Sequence, residues 1–142
     1  MSKSNLQDVI RIELPKFPDP RGSLSVLEQG IHIPFDIKRT YLLYDVPGGV
    51  ERKGHAYYRS QEFIVALSGS FDVEVYDGIS RKRFQLNRSH YGIYVPAGIW
   101  RQLDNFSTNS LAMVLASTPY DAEDYIYELK AYRAYRKNIR IL

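Results

Sequence analysis

From residue 6 to residue 117 the chain is a succession of short segments in which apolar and polar side chains alternate, each closed by proline, glycine or asparagine. Alternation with a period of two is the mark of a half-buried strand. No segment of helical period separates these runs, which favours a β-sandwich or jelly roll over a parallel sheet built from crossover helices. Strands are expected over residues 6–14, 23–28, 37–46, 54–67, 71–76, 81–86, 91–95, 100–103 and 111–117, with residues 15–23 as a proline-rich turn and Asp77-Gly78 as a hairpin turn. After Thr118 the period changes. Asp121 is placed to cap a helix, Glu123 and Asp124 suit its first turn, and Tyr125, Leu129, Tyr132 and Tyr135 repeat at helical spacing. The expected fold is mostly β, a jelly roll (β-sandwich) with a C-terminal α-helix, in one domain over residues 1–142.

Composition narrows the function classes. The chain has no cysteine, which removes disulfides, thiolate metal sites and cysteine nucleophiles. Residues 1–8 carry no apolar stretch of the export-signal kind, and no apolar run reaches the ~18 residues of a membrane helix; a cytoplasmic protein with no membrane partner is expected. The net charge of +3 is mild. Its one obvious cationic cluster, between Lys130 and Arg140, reads as a helix end that complements the helix dipole, so no nucleic-acid partner is expected.

Chemistry centres on residues 52–62, R-K-G-H-A-Y-Y-R-S-Q-E, which hold one of only three histidines. Imidazole can take and return a proton near neutral pH. With a period of two, His55, Tyr57, Arg59 and Gln61 would share one face of a strand. Jelly-roll metal sites of the cupin type place two histidines two residues apart. Here Tyr57 occupies the second position, and His32 and His90 are isolated, so no metal is expected. Arg21, Arg39, Arg52 and Arg101 recur at strand ends, where a jelly roll gathers its loops, and guanidinium groups suit phosphate oxygens. Trp100 and the tyrosines offer stacking surface, which core packing also explains. There is no phosphate loop, nucleophile elbow or dinucleotide fingerprint.

The motifs D-P-R-G-S-L (19–24), I-K-R-T-Y (37–41), R-K-G-H-A-Y (52–57), Y-G-I-Y-V-P-A-G-I-W (91–100) and V-L-A-S-T-P-Y-D-A-E-D-Y-I (114–126) come in an order that resembles the bacterial dTDP-sugar 3,4-ketoisomerases. The resemblance spans nearly the whole chain. It implies a cupin-like jelly roll, usually a homodimer, that moves the carbonyl of dTDP-4-keto-6-deoxy-D-glucose from C4 to C3 through an enediol(ate), without cofactor, on routes to the dideoxy amino sugars of surface polysaccharides. It implies His55 as the catalytic base, with Tyr41, Arg39 and Arg52 at active-site positions. Arg21, Arg101 and Trp100 are further substrate-binding candidates. The chain departs from the family at Tyr57, where members commonly carry a second histidine that takes part in proton transfer; either another residue makes the second transfer or His55 makes both. Arg101 also stands at a variable position, and with Arg21 it leaves the C4 configuration of the product open. Two other readings of the same residues are a non-catalytic nucleotide-sugar binding module and a related dTDP-sugar epimerase.

Overall fold

The computed structural model describes residues 4–140. In chain order its strands are β1 (Ile10–Glu13), β2 (Lys16–Asp19), β3 (Gly22–Ser25), β4 (Arg39–Tyr44), β5 (Ala56–Tyr57), β6 (Glu62–Ser68), β7 (Phe71–Tyr76), β8 (Arg81–Leu86), β9 (Tyr91–Val95), β10 (Trp100–Asp104), β11 (Leu111–Ala116) and β12 (Tyr125–Ile126), followed by helix α1 (Leu129–Arg140). A five-stranded antiparallel sheet in the order β1-β9-β6-β11-β4 faces a three-stranded sheet in the order β10-β7-β8. The fold is therefore mostly β, as its periodicity requires.

Alternation decides which side chains fill the space between the sheets. Phe71, Val73 and Val75 of β7 point inward, and Asp72 and Glu74 point outward to Arg83. Ile64 and Ala66 of β6 join the same core, whereas Phe63 and Val65 on its other face pack under Leu14, Ile33 and Phe35. Burial on both faces explains why β6 reads as a continuous apolar run rather than an alternating one. A third cluster joins α1 to the roll through Tyr132, which is fully buried against Trp100 and Tyr76. Its hydroxyl lies 2.8 Å from the Gly98 carbonyl and 2.9 Å from that of Tyr76. Arg136, also buried, donates to the carbonyls of Asp77, Gly98 and Ser4, closing the helix over the ends of three loops.

Four expectations are corrected. Residues 16–19, read as turn, pair with residues 22–25 in an exposed hairpin. Residues 6–8 form a 3-10 turn capped by Asn5, so the first strand starts at Ile10. The long strand expected over 54–67 is broken between β5 and β6 by a bend that the Asp124 carboxylate holds, accepting from the Arg59 and Ser60 amides at 2.8 and 3.1 Å. That bend turns Arg59 outward to Asp121 and sends Gln61 to Tyr94, so neither shares the face of His55. Finally, Asp121 caps a single 3-10 turn (Ala122–Asp124), Tyr125 lies in β12, and α1 begins only at Leu129.

Candidate active site

The short ribbon of β5 and β12 sets the site. The His55 amide donates to the Arg101 carbonyl and the Arg101 amide to the His55 carbonyl, at 3.1 and 2.9 Å, which ties β5 to β10. Gly54, one residue earlier, passes against the Trp100 indole so closely that a Cβ would lie 2.4 Å from its Nε1. A glycine is required there by space alone. On β4, Arg39, Tyr41 and Leu43 alternate inward. Glu62, in step with Ile64 and Ala66 on β6, also points into the roll and is fully buried.

These elements bring five polar side chains together. The His55 Nε2 lies 2.9 Å from the Tyr57 hydroxyl. The Tyr57 and Tyr41 hydroxyls both donate to Glu62 Oε2, at 3.0 and 2.6 Å. Arg101 Nε donates to Glu62 Oε1 at 2.8 Å, and its Nη2 reaches both Glu62 Oε2 and the Tyr41 hydroxyl. Removing either partner of this buried ion pair alone would leave an uncompensated charge, at a cost of about 3–5 kcal/mol. Arg39 lies 5.7 Å over Tyr41 and 5.6 Å over Tyr120, and its Nη1 is 3.4 Å from the Tyr125 hydroxyl. Its Nε is buried with no hydrogen-bond partner among the described residues.

The electrostatics follow from this packing. Burial, then Arg101, Arg39 and Arg52, hold the His55 imidazole down to about 2, so it is neutral at physiological pH. Burial pushes the Tyr57 phenol up, and Glu62 pushes it further, so Tyr57 keeps its proton. Burial likewise raises Tyr41, with Arg101 offsetting part of the shift. For Arg101 burial acts downward, but Glu62, Tyr41 and Tyr57 together outweigh it and the guanidinium is held charged.

His55 lines a cavity of about 510 Å³ whose wall includes Tyr41, Arg52, Lys53, Arg101 and Tyr125. Arg52, Lys53 and Tyr127 also border an adjoining cavity of about 530 Å³ that contains Trp100. A cavity of this size, with aromatic walls and convergent cations, suits a ligand that has a ring and negative charge. Of the residues expected at the site, His55, Tyr57, Tyr41, Arg39 and Arg101 converge, and Arg52 and Trp100 line the two cavities. Arg21 does not join them within one chain. It sits on the exposed hairpin, bound to Asp19 and 90% exposed. His32 accepts from the Glu28 amide and His90 packs against Tyr91, both outside this cluster. Glu62 was missed by the reading of the sequence. Its signal was there: a carboxylate in phase with the interior residues of a strand.

The family described as "FdtA: WxcM-like, C-terminal" matches residues 7–137. The TDP-4-oxo-6-deoxy-alpha-D-glucose-3,4-oxoisomerase of Aneurinibacillus thermoaerophilus is 35% identical over 130 residues, 92% of this chain and 94% of the relative. The chain belongs to this family. Among solved members, the 3,4-ketoisomerase QdtA from Thermoanaerobacterium thermosaccharolyticum in complex with TDP is 31% identical, with a TM-score of 0.92 over 97% of this chain and all of that one (100%). A variant of the same 3,4-ketoisomerase in complex with TDP-4-keto-6-deoxyglucose is 30% identical, with a TM-score of 0.89 over 92% of this chain and 94% of that one. The cupin-like sandwich is thus common to this chain and the ketoisomerases it resembles.

Proposed function

We propose that the chain is a cofactor-independent isomerase that moves the carbonyl of dTDP-4-keto-6-deoxy-D-glucose from C4 to C3. The observation that carries this reading is a neutral imidazole, His55, set in the wall of a cation-lined cavity and joined through Tyr57 to a buried carboxylate. Ketone migration needs a proton taken from C3, with the electron pair moving to the C4 oxygen, transfer of the C3 hydroxyl proton to that C4 oxygen, and then a proton delivered to C4 as the C3 oxygen becomes the carbonyl. The carbon skeleton and oxidation level are conserved, so no hydride carrier enters the balance. His55 takes the C3 proton. Tyr41, Arg39 and Arg101 supply donors and positive charge to the enediolate, which lowers the barrier where charge develops. The free Nε of Arg39 is a ready donor for a substrate oxygen. Arg52, beside Lys53, faces the phosphates, and Trp100 borders the nucleotide end. Tyr57, which holds its proton, acts as a hydrogen-bonding relay in the place of the second histidine; its phenol is too weakly acidic to serve as a base.

The same cations explain how the base is used. Burial depresses the basicity of His55 most, and Arg101, Arg39 and Arg52 add to the effect in the free site. A diphosphate bound beside Arg52 offsets that guanidinium's share of the field and returns some basicity to the ring when substrate is present. The protein acts as a cytoplasmic homodimer in this reading. Phe17 and Leu24 on the protruding hairpin are each 58% exposed and supply apolar surface for a second copy.

Incubation with dTDP-4-keto-6-deoxyglucose in deuterated water, followed by NMR, tests the activity. The expected product carries its carbonyl at C3 and deuterium at C4. Exchange at C5 with the carbonyl unmoved would identify an epimerase, and tight dTDP binding with no exchange a binding module; either result overturns the proposal. Sedimentation equilibrium is expected to give twice the chain mass.

A further inference from the structure

The Tyr41, Tyr57 and Arg101 side chains all present donors to one buried carboxylate, Glu62. We infer that Glu62 is a positioning residue that, through Tyr57, holds His55 as the Nε2–H tautomer and leaves Nδ1 as the basic atom of the site.

A carboxylate only accepts, so the hydroxyl protons of Tyr41 and Tyr57 both point at Glu62. Each hydroxyl has one proton. With its own proton committed to Glu62, Tyr57 can meet the His55 ring only as an acceptor, at 2.9 Å. Nε2 must therefore carry the ring proton, and in the neutral imidazole the lone pair lies on Nδ1. Tyr57 is 4% exposed and Glu62 1%, so water does not compete for these bonds. Arg101 completes the arrangement by occupying Glu62 Oε1, which prevents the carboxylate from turning away from the tyrosines. The tyrosine thus has a definite task here, to pass the orientation set by Glu62 to the base.

The tautomer is measurable without substrate. Histidine-selective 15N labelling gives signals from only three rings, and a His55→Gln variant assigns the one of interest. In the free protein at pH 7, His55 is expected to show a protonated Nε2 and an unprotonated Nδ1; the reverse pattern overturns the inference. In Glu62→Gln the amide oxygen keeps the Arg101 Nε, and the amide nitrogen must then face the tyrosines as a donor. Tyr57 accepts from it, turns its proton to His55 Nε2 and drives the ring proton to Nδ1. The tautomer should invert. An unchanged tautomer in a folded Glu62→Gln protein overturns the inference. Tyr57→Phe leaves Glu62, Arg101 and Tyr41 in place and removes only the relay, so it serves if Glu62→Gln does not fold. It should give mixed tautomers, and a persistent pure Nε2–H form overturns the inference.

The consequence for rate rests on the proposed ketoisomerase activity. Glu62→Gln is expected to lower kcat on the order of 10⁴-fold with KM little changed, as for another base held in its wrong tautomer. A raised KM with kcat intact would make Glu62 a binding residue and overturn the assignment. A wild-type protein without turnover, whose His55 tautomer nevertheless inverts in Glu62→Gln, would sink the activity and leave the positioning role standing.

Discussion

His55 sits in an unusual field for a base, buried and flanked by Arg101, Arg39 and Arg52. Two outcomes follow at this scale. Replacing it by Asn removes the only imidazole of the cluster and is expected to lower turnover by about 10²–10⁴-fold, the usual worth of a general base, with dTDP binding measured by calorimetry largely retained. Adding dTDP to the wild-type protein is expected to raise the pKa of His55 from about 2, seen as a shift in its 15N titration curve. A pKa unmoved by dTDP would show that the diphosphate does not approach Arg52. At the residue scale much of the site was legible: one histidine after a glycine, with a tyrosine two positions on, is a local pattern. Arg59 and Gln61 were drawn onto the same face by the same period. They leave it because Asp124 bends the chain between β5 and β6, and that carboxylate lies 65 residues away from Arg59 in sequence.

Among the elements, the loop that leads into β5 is the most exacting. Gly54 passes Trp100 with no room for a Cβ, which would stand 2.4 Å from the indole nitrogen and 3.0 Å from the Arg101 carbonyl. Gly54→Ala is expected to displace the indole and to destabilise the fold by about 1–3 kcal/mol, the range for overpacking a tight site. The chain has a single tryptophan, so a shift in intrinsic fluorescence reports the displacement directly, and urea melts report the loss. Strands β7, β8, β9, β10 and β11 were readable from alternation and turn residues. Strand β3 was expected within 23–28, but its partner β2 was not read, because the hairpin of β2 and β3 buries neither face and so shows no apolar rhythm there. The start of α1 was misplaced for a related reason. Tyr125 and Leu129 are four residues apart and mimic one helical face, yet Tyr125 pairs with Tyr57 in a ribbon and stacks on Tyr127.

The whole molecule inherits a pH dependence from its site. The unfolded chain protonates His55 near 6.5, whereas in the folded protein the ring stays neutral down to about 2. Below 6.5 the unfolded state therefore binds the extra proton, and stability falls progressively as pH drops through that window. Urea midpoints at pH 7.5 and pH 5 are expected to differ less in His55→Asn than in the wild type; an equal difference would remove His55 as the source.

The amino-acid sequence by itself determined most strands of the two sheets and the placing of His55 and Tyr57 on one face, because these depend on neighbours within a few residues. The sandwich follows, since alternating strands without crossover helices have few other ways to bury one face. The meeting of Glu62 with Tyr41, Arg101 and Tyr57 was decided only by the tertiary structure. Tyr41 and Arg101 come from β4 and β10, 21 and 39 residues from Glu62. A period of two says which way a side chain points, but not which strand lies across from it. Strand order and the crossing of the two sheets supply that, and with it the carboxylate on which the orientation of the base depends.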